Sequence, residues 1–223
     1  YGTTVSILTN SLSEGDKTYT FYAKATDSAG NSSTCSSLSA NYTLDTTAPS
    51  APGSTAMVNP SINNGNIPTP TIRVNDVTSG DTITIYTDAC STSSVGTGVV
   101  SDGINTVDIT LSTSLAADAS YKFRAKATDP AGNDSGCSDD LVAIIYNLDT
   151  TPPNAPNNMA LFGGLSVNDN DATPTITVAG VSENDTVDLF TDSNCSTNIG
   201  NETATASTVN VTTNSLDQGD YVF

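Results

Sequence analysis

The reactive side chains of this sequence are its four cysteines, and no histidine is present to work beside them. Without imidazole, Ser-His-Asp and Cys-His nucleophiles, histidine acid/base catalysis and histidine metal sites are all excluded within these residues. Cys35 and Cys137 close the same phrase, A-G-N-x-S-x-C-S, while Cys90 and Cys195 each follow a Thr-Asp pair. Each full copy of the sequence pattern therefore carries two cysteines. The simplest pairing joins Cys90 to Cys137 and leaves Cys35 and Cys195 to cysteines outside this segment. One disulfide per copy implies an oxidising setting, the periplasm, the cell surface or beyond. The competing reading is two buried free thiols per copy. A zinc site is not indicated, since two cysteines with neither histidine nor a CxxC pair lack the ligands.

The remaining charged chemistry is mostly acidic. Six Lys and Arg stand against 24 Asp and Glu, a formal charge of −18, which repels nucleic acid and anionic membrane surfaces. Five of the six basic residues lie in or beside two copies of one segment, and Lys122, Arg124 and Lys126 alternate along the second copy. They form a candidate binding stripe for a glycan or protein; the structural alternative is cross-strand pairing with carboxylates. No Gly-rich phosphate loop occurs, and the carboxylates show no pairing tied to acid/base work, so the chain reads as a non-enzyme. No apolar run approaches the roughly 18 residues of a membrane-spanning helix. Asn31, Asn41, Asn133, Asn184, Asn194, Asn201 and Asn210 sit in N-x-S/T sequons, which a chain rich in Thr, Ser and Asn produces by chance.

These residues recur with a period of about a hundred residues, too long for a solenoid turn and the size of a small domain. Tyr19 opens Y-T-F-Y-A-K-A-T-D-S-A-G-N-S-S-T-C-S and Tyr121 opens Y-K-F-R-A-K-A-T-D-P-A-G-N-D-S-G-C-S, while Tyr221 begins the phrase again. Asp45-Thr46-Thr47-Ala48-Pro49 likewise returns as Asp149-Thr150-Thr151-Pro152-Pro153. The expected organisation is residues 1–44 as the back half of one copy, 45–148 as a complete copy and 149–223 as the front of a third. Because neither end falls on a copy boundary, the chain reads as a window onto a longer polymer. The alternative is completion of the end copies by strands of neighbouring chains, against which the segments before Tyr19 and Tyr221 supply the same strand twice.

Within one copy the pattern is that of strands. Tyr121, Phe123, Ala125 and Ala127 alternate with Lys122, Arg124 and Lys126, the signature of a half-buried strand. Further alternating runs lie at 72–77, 82–87, 105–111 and 142–148, with a first strand at 55–58, and Val5 and Ile7 mark the counterpart of 105–111 in the first copy. The stretch 91–100 is expected to be a loop. Turn signals such as Ser79-Gly80-Asp81 and Pro130-Ala131-Gly132-Asn133 separate the runs, and nothing reads as a helix. Six or seven short strands per copy predict an all-β chain of tandem immunoglobulin-like Greek-key sandwiches joined by short D-T-T-x-P linkers. Leu12 with Tyr19, Leu115 with Tyr121 and Leu216 with Tyr221 predict a tyrosine corner, with the hydroxyl bonded to loop backbone.

Leucine, turn, tyrosine, alternating strand, A-T-D-x-A-G-N-x-S and D-T-T-x-P-x-A-P together resemble the bacterial immunoglobulin-like repeats of large surface adhesins and biofilm-associated extracellular fibre proteins. The cysteine pair departs from that pattern. The resemblance implies a secreted, cell-surface role as a stalk or filament, with neighbouring copies in one long chain and lateral self-association as partners. It also implies calcium between domains. Carried over, the candidate calcium ligands are Asp45 and Asp149 in the linker with Asp27 and Asp129 in the T-D-x-A-G-N loops, since Ca²⁺ takes six to eight oxygen ligands. Local capping of turns is the competing role for these aspartates.

Overall fold

A computed structural model describes residues 4–13, 15–139, 143–164, 170–217 and 219. The chain is all-β and divides into two compact units, Tyr1–Thr150 and Thr151–Phe223. In the first unit a hairpin, β1 (Lys17–Phe21) with β2 (Ala40–Leu44), precedes β3 (Ser54–Asn59), β4 (Asn64–Gly65), β5 (Thr71–Asn75), β6 (Thr82–Tyr86), β7 (Ser94–Val99), β8 (Thr106–Thr110), β9 (Ala119–Thr128) and β10 (Ile144–Leu148). In the second unit follow β11 (Asn158–Leu161), β12 (Thr175–Ala179), β13 (Thr186–Phe190), β14 (Asn198–Thr203) and β15 (Thr208–Thr212).

Residues 54–148 form a two-sheet sandwich. One sheet has the order β3-β5-β8 and the other β4-β10-β9-β6-β7, all pairs antiparallel except β4 with β10. This is the immunoglobulin-like Greek key, in which consecutive strands cross from sheet to sheet. Ile72, Val74 and Ile109 from the first sheet meet Ile83, Ile85, Phe123 and Tyr146 from the second, all of them fully or almost fully buried. Alternation along each strand creates this layer, because successive side chains point to opposite faces. The second unit repeats the plan with β11-β12-β15 as one sheet and β13-β14 as the other, around Ile176, Val178, Leu189 and Val211.

Two strand expectations are corrected. The stretch 91–100 is not simply a loop: β7 runs through it and pairs with β6 from Thr82↔Val99 to Tyr86↔Ser94. Val5 and Ile7 lie in no strand and are 81% and 78% exposed. Their counterpart in the complete copy, β8, is held in place by pairing with β5. A strand without a neighbour is not stable in water. The run at 142–148 begins as a strand at Ile144, and Val142 lies outside the described residues, as do Tyr1 and Tyr221.

Tyr121 forms the expected corner: its hydroxyl donates to the carbonyl of Ala117 at 2.8 Å and accepts from the Ala117 amide at 3.2 Å. Tyr19 also bonds loop backbone in the first copy, donating to the Ser13 carbonyl at 3.1 Å. A second tyrosine device was not expected. Tyr146, fully buried in β10, accepts from the Ile67 amide and donates to the Ile67 carbonyl, each at 3.1 Å, tying the segment before β5 to the other sheet.

Candidate functional site: the loop and linker where copies meet

The aspartate and two of the serines in each copy of the recurring phrase engage backbone of their own loop or strand. After β9 the chain turns at Asp129, whose carboxylate accepts from the amides of Ala131 and Asn133, both at 2.9 Å, and from the Asn133 side-chain amide at 2.9 Å. Asp27 repeats this with Ala29, Asn31 and the Asn31 side chain at 2.9, 2.8 and 3.0 Å. The asparagine amides, the first of these donors in effect, hold both carboxyls below the ordinary aspartate value. Beyond the turn, the hydroxyls of Ser135 and Ser138 accept from the amides of Ala127 and Ala125, where β9 has run past its partner β10. Ser33 and Ser36 accept from Ala25 and Ala23 in the first copy. The serines thus satisfy strand amides that a sheet neighbour no longer reaches.

This loop also carries Cys137. The structure joins it to Cys90, at a Cα–Cα distance of 5.8 Å, so the disulfide clips the β9–β10 loop to the β6–β7 turn. That turn is built around Asp88, which accepts from the amides of Ser91, Thr92 and Ser93, each at 3.0 Å. These donors, Ser91 first, pull its carboxyl far below the ordinary range. Asp192 plays the same part in the second unit, led by the Thr197 amide at 2.8 Å, and its pKa falls to about 2. Neither aspartate was singled out from the sequence, although the repeated T-D before each cysteine was the available signal. Cys35 and Cys195 are exposed free thiols.

The linker is held from the preceding copy. Asp16, in the turn before the Tyr19 strand, accepts from the Thr46 amide at 3.0 Å and the Thr47 hydroxyl at 2.7 Å. Asp118, before the Tyr121 strand, accepts from the Thr150 amide and hydroxyl, both at 2.7 Å. On the far side of the first linker, the Asn133 amide that caps Asp129 also reaches the Asp45 carbonyl at 3.2 Å and the Asp45 carboxylate at 3.4 Å. Linker, preceding turn and following loop are thereby tied into one network.

Of the four calcium candidates, Asp45 and Asp129 are brought together, bridged by Asn133. Asp27 caps its own turn, and Asp149 donates its amide to the Gly65 carbonyl. Among the described residues no group of three or more His, Cys, Asp or Glu is arranged to hold a metal ion. The placed donors are N–H groups around carboxylates, which does not fit a hard cation that needs six to eight oxygens. One carboxylate is poorly served: Asp81, 3% exposed, has an Oδ2 with no hydrogen-bond partner. Burial first, then the charge of Asp129, raises its pKa.

The basic stripe is drawn inward. Lys126 pairs with Asp134 at 2.8 Å, and Arg124 donates to the Asp88 carbonyl at 3.0 Å. Lys122 sits opposite Ile145 in the β9–β10 ladder and makes an interaction of its own. Away from the stripe, Arg73 on β5 grips Asp108 on β8 through two bonds of 2.7 Å. No helix among the described residues is long and apolar enough to cross a membrane.

The class defined by these residues is an all-β chain of immunoglobulin-like sandwiches in tandem, with a disulfide-clipped loop and a clamped linker. No family model and no curated protein matches the sequence. The chain is similar to a solved tetra-tandem repeat in the extending region of a large adhesion protein, at 21% identity and a TM-score of 0.33, with 91% of this chain covered. It spans 49% of that structure's length, and a likeness at this level defines neither family nor function.

Proposed function

We propose that the chain is a structural repeat segment of a long bacterial cell-surface or extracellular filament, an adhesin stalk with one disulfide per domain. Residues 1–44, 45–148 and 149–223 are the successive copies. The observation that carries this reading is the identity of the hydrogen bonds in the two complete copies of the recurring phrase. Asp27 and Asp129, Ser33 and Ser135, Ser36 and Ser138, and Asp16 and Asp118 each spend their polar atoms on backbone of the same domain or its linker. What is repeated is what holds a sandwich and its linker in place. Recognition would instead repeat side chains turned to solvent.

The Cys90–Cys137 disulfide is consistent with an oxidising compartment, and this supports the reading of an extracellular or surface location. Prolines following D-T-T restrict the linker further, because proline fixes its own φ and limits its predecessor. The stripe Lys122, Arg124 and Lys126 is the candidate surface for the rival reading, a glycan- or protein-binding adhesin module. All three already make interactions in the structure, which favours the stalk. A glycan array probed with the full chain is expected to give no reproducible binding. Binding that disappears when Lys122, Arg124 and Lys126 are replaced by Ser would overturn the stalk in favour of the module. No part of the proposed role runs through calcium.

A further inference from the structure

The disulfide of the complete copy joins two loops that are each built without it. In the β6–β7 turn the Asp88 carboxylate accepts from the amides of Ser91, Thr92 and Ser93 and from the hydroxyls of Ser91 and Thr92, at 2.9–3.1 Å. The Thr87 amide closes the turn on the Ser93 carbonyl at 3.1 Å. On the other side Cys137 is bracketed by Ser135 and Ser138, 8% and 4% exposed. Their amides donate to the carbonyls of Ala127 and Ala125, and their hydroxyls accept from the amides of the same two alanines. No sulfur atom takes part in any of these bonds.

One strand holds both halves. Arg124 donates to the Asp88 carbonyl at 3.0 Å, and its neighbour Ala125 carries the bonds to Ser138, so adjacent residues of β9 anchor the two cysteine-bearing loops. The turn leaves β6 at Tyr86, which the ladder already pairs with Arg124. Within it Cys90 has a φ of 57°, in the left-handed region that a residue with a Cβ occupies only when its surroundings hold it there. The corresponding turn of the second unit is one residue longer between aspartate and cysteine. Cys195 nevertheless has a φ of 52°, and Asp192, like Asp88, accepts from the amides four and five residues on. The left-handed cysteine thus recurs with the carboxylate that spans the turn, across a change in spacing.

We infer that Asp88 and Arg124 are positioning residues for the disulfide: they hold Cys90 opposite Cys137 in the reduced protein, so that the bond closes and reopens on a sandwich that stays folded. Both cysteines are half-buried and within reach of a small thiol. The covalent step is exchange with a small-molecule disulfide such as oxidised glutathione. One protein thiolate attacks a glutathione sulfur and expels a glutathione thiolate. The second protein thiolate then attacks the protein sulfur of the mixed disulfide and expels the other. Two protein thiols and one glutathione disulfide yield one protein disulfide and two glutathione thiols. Because the turn is ordered before the second attack, that thiolate acts at a high effective concentration.

The test equilibrates the full chain in buffers of reduced and oxidised glutathione and follows the Cys90–Cys137 bond by differential alkylation and peptide mapping. Asp88→Ala should lower the equilibrium constant for that bond about tenfold; Asp88→Asn, which keeps one acceptor oxygen, and Arg124→Met should each lower it about threefold. Hydrogen exchange on the reduced wild-type protein should find the amides of Thr92 and Ser93 still protected. In reduced Asp88→Ala that protection should be lost while the amides of β6 and β9 keep theirs, the mark of a folded sandwich. An unchanged equilibrium constant in Asp88→Ala would overturn the proposal. So would unprotected Thr92 and Ser93 amides in the reduced wild type, because the disulfide would then be what orders the turn. This wild-type result decides the matter even where a variant does not fold.

Discussion

The carboxylate of Asp118 accepts both the backbone amide and the hydroxyl of Thr150, each at 2.7 Å and 32 residues along the chain. Asp16 and the Thr46-Thr47 pair repeat the relationship in the preceding copy. The turn before one tyrosine-corner strand therefore sets the direction in which the chain leaves the domain. Replacing Asp118 by Ala removes both acceptors, at a cost of about 1 kcal/mol for an accessible charged hydrogen bond. Hydrogen exchange at the Thr150 amide should quicken about fivefold. An unchanged rate would show that the clamp does not order the linker.

The disulfide has a separate and larger effect. Cys90 and Cys137 are 47 residues apart, and closing such a loop contributes roughly 4 kcal/mol on the chain-entropy model. The double variant Cys90→Ser, Cys137→Ser should show a denaturant midpoint lowered in proportion, with the sandwich spectrum kept at low denaturant. A midpoint within error of the wild type would remove the disulfide from the account of stability.

Much of this architecture was legible because it rests on periodicity. The alternation from Tyr121 to Thr128 announced β9, and the leucine-to-tyrosine spacing announced the corner. β7 was not legible, and its composition explains why. Ser94-Val95-Gly96-Thr97-Gly98-Val99 has β-branched residues at 95, 97 and 99, but Gly96 and Gly98 interrupt them and read locally as strand breakers. It is a strand because its glycines let it lie against β8: a Cβ on Gly98 would sit 2.9 Å from Ile109 Cγ1, and one on Gly96 3.1 Å from Ile109 Cγ2. The requirement belongs to the opposite sheet and cannot be read locally. Tyr146 escaped for the same reason, since its partner Ile67 lies 79 positions away. The T-D-x-A-G-N aspartates were recognised as special, but the turn amides that they accept from became visible only with side-chain geometry.

The second unit repeats the close approach more severely. A Cβ on Gly200 would lie 2.7 Å from the backbone oxygen of Thr212, an atom that cannot rotate aside. Gly200→Ala should destabilise that unit by about 1–3 kcal/mol through overpacking. A thermal or denaturant melt that resolves the unit checks this. Unchanged stability would mean that β14 does not press against the end of β15.

Stability should respond to acid in two opposed ways. The lowered carboxyls of Asp88 and Asp192 bind fewer protons folded than unfolded below the ordinary aspartate value of 3.8. Their contribution is present above 3.8 and is lost as pH falls towards about 2 for Asp192. Asp81 has the opposite sign. Its raised pKa means the folded state holds the proton more tightly, so stability is lost as pH rises from 3.8 through that raised value. Asp81→Asn should therefore be more stable than wild type at pH 7 and should lose its advantage near pH 3. Equal stability at both values would show that Asp81 is not desolvated.

The central claim is that the repeats form a stalk rather than a recognition module. Electron microscopy of the native polypeptide from its source tests it most directly. The account predicts a beaded thread with a bead spacing of about 40 Å, the dimension of a hundred-residue sandwich. A discrete globular particle would contradict it.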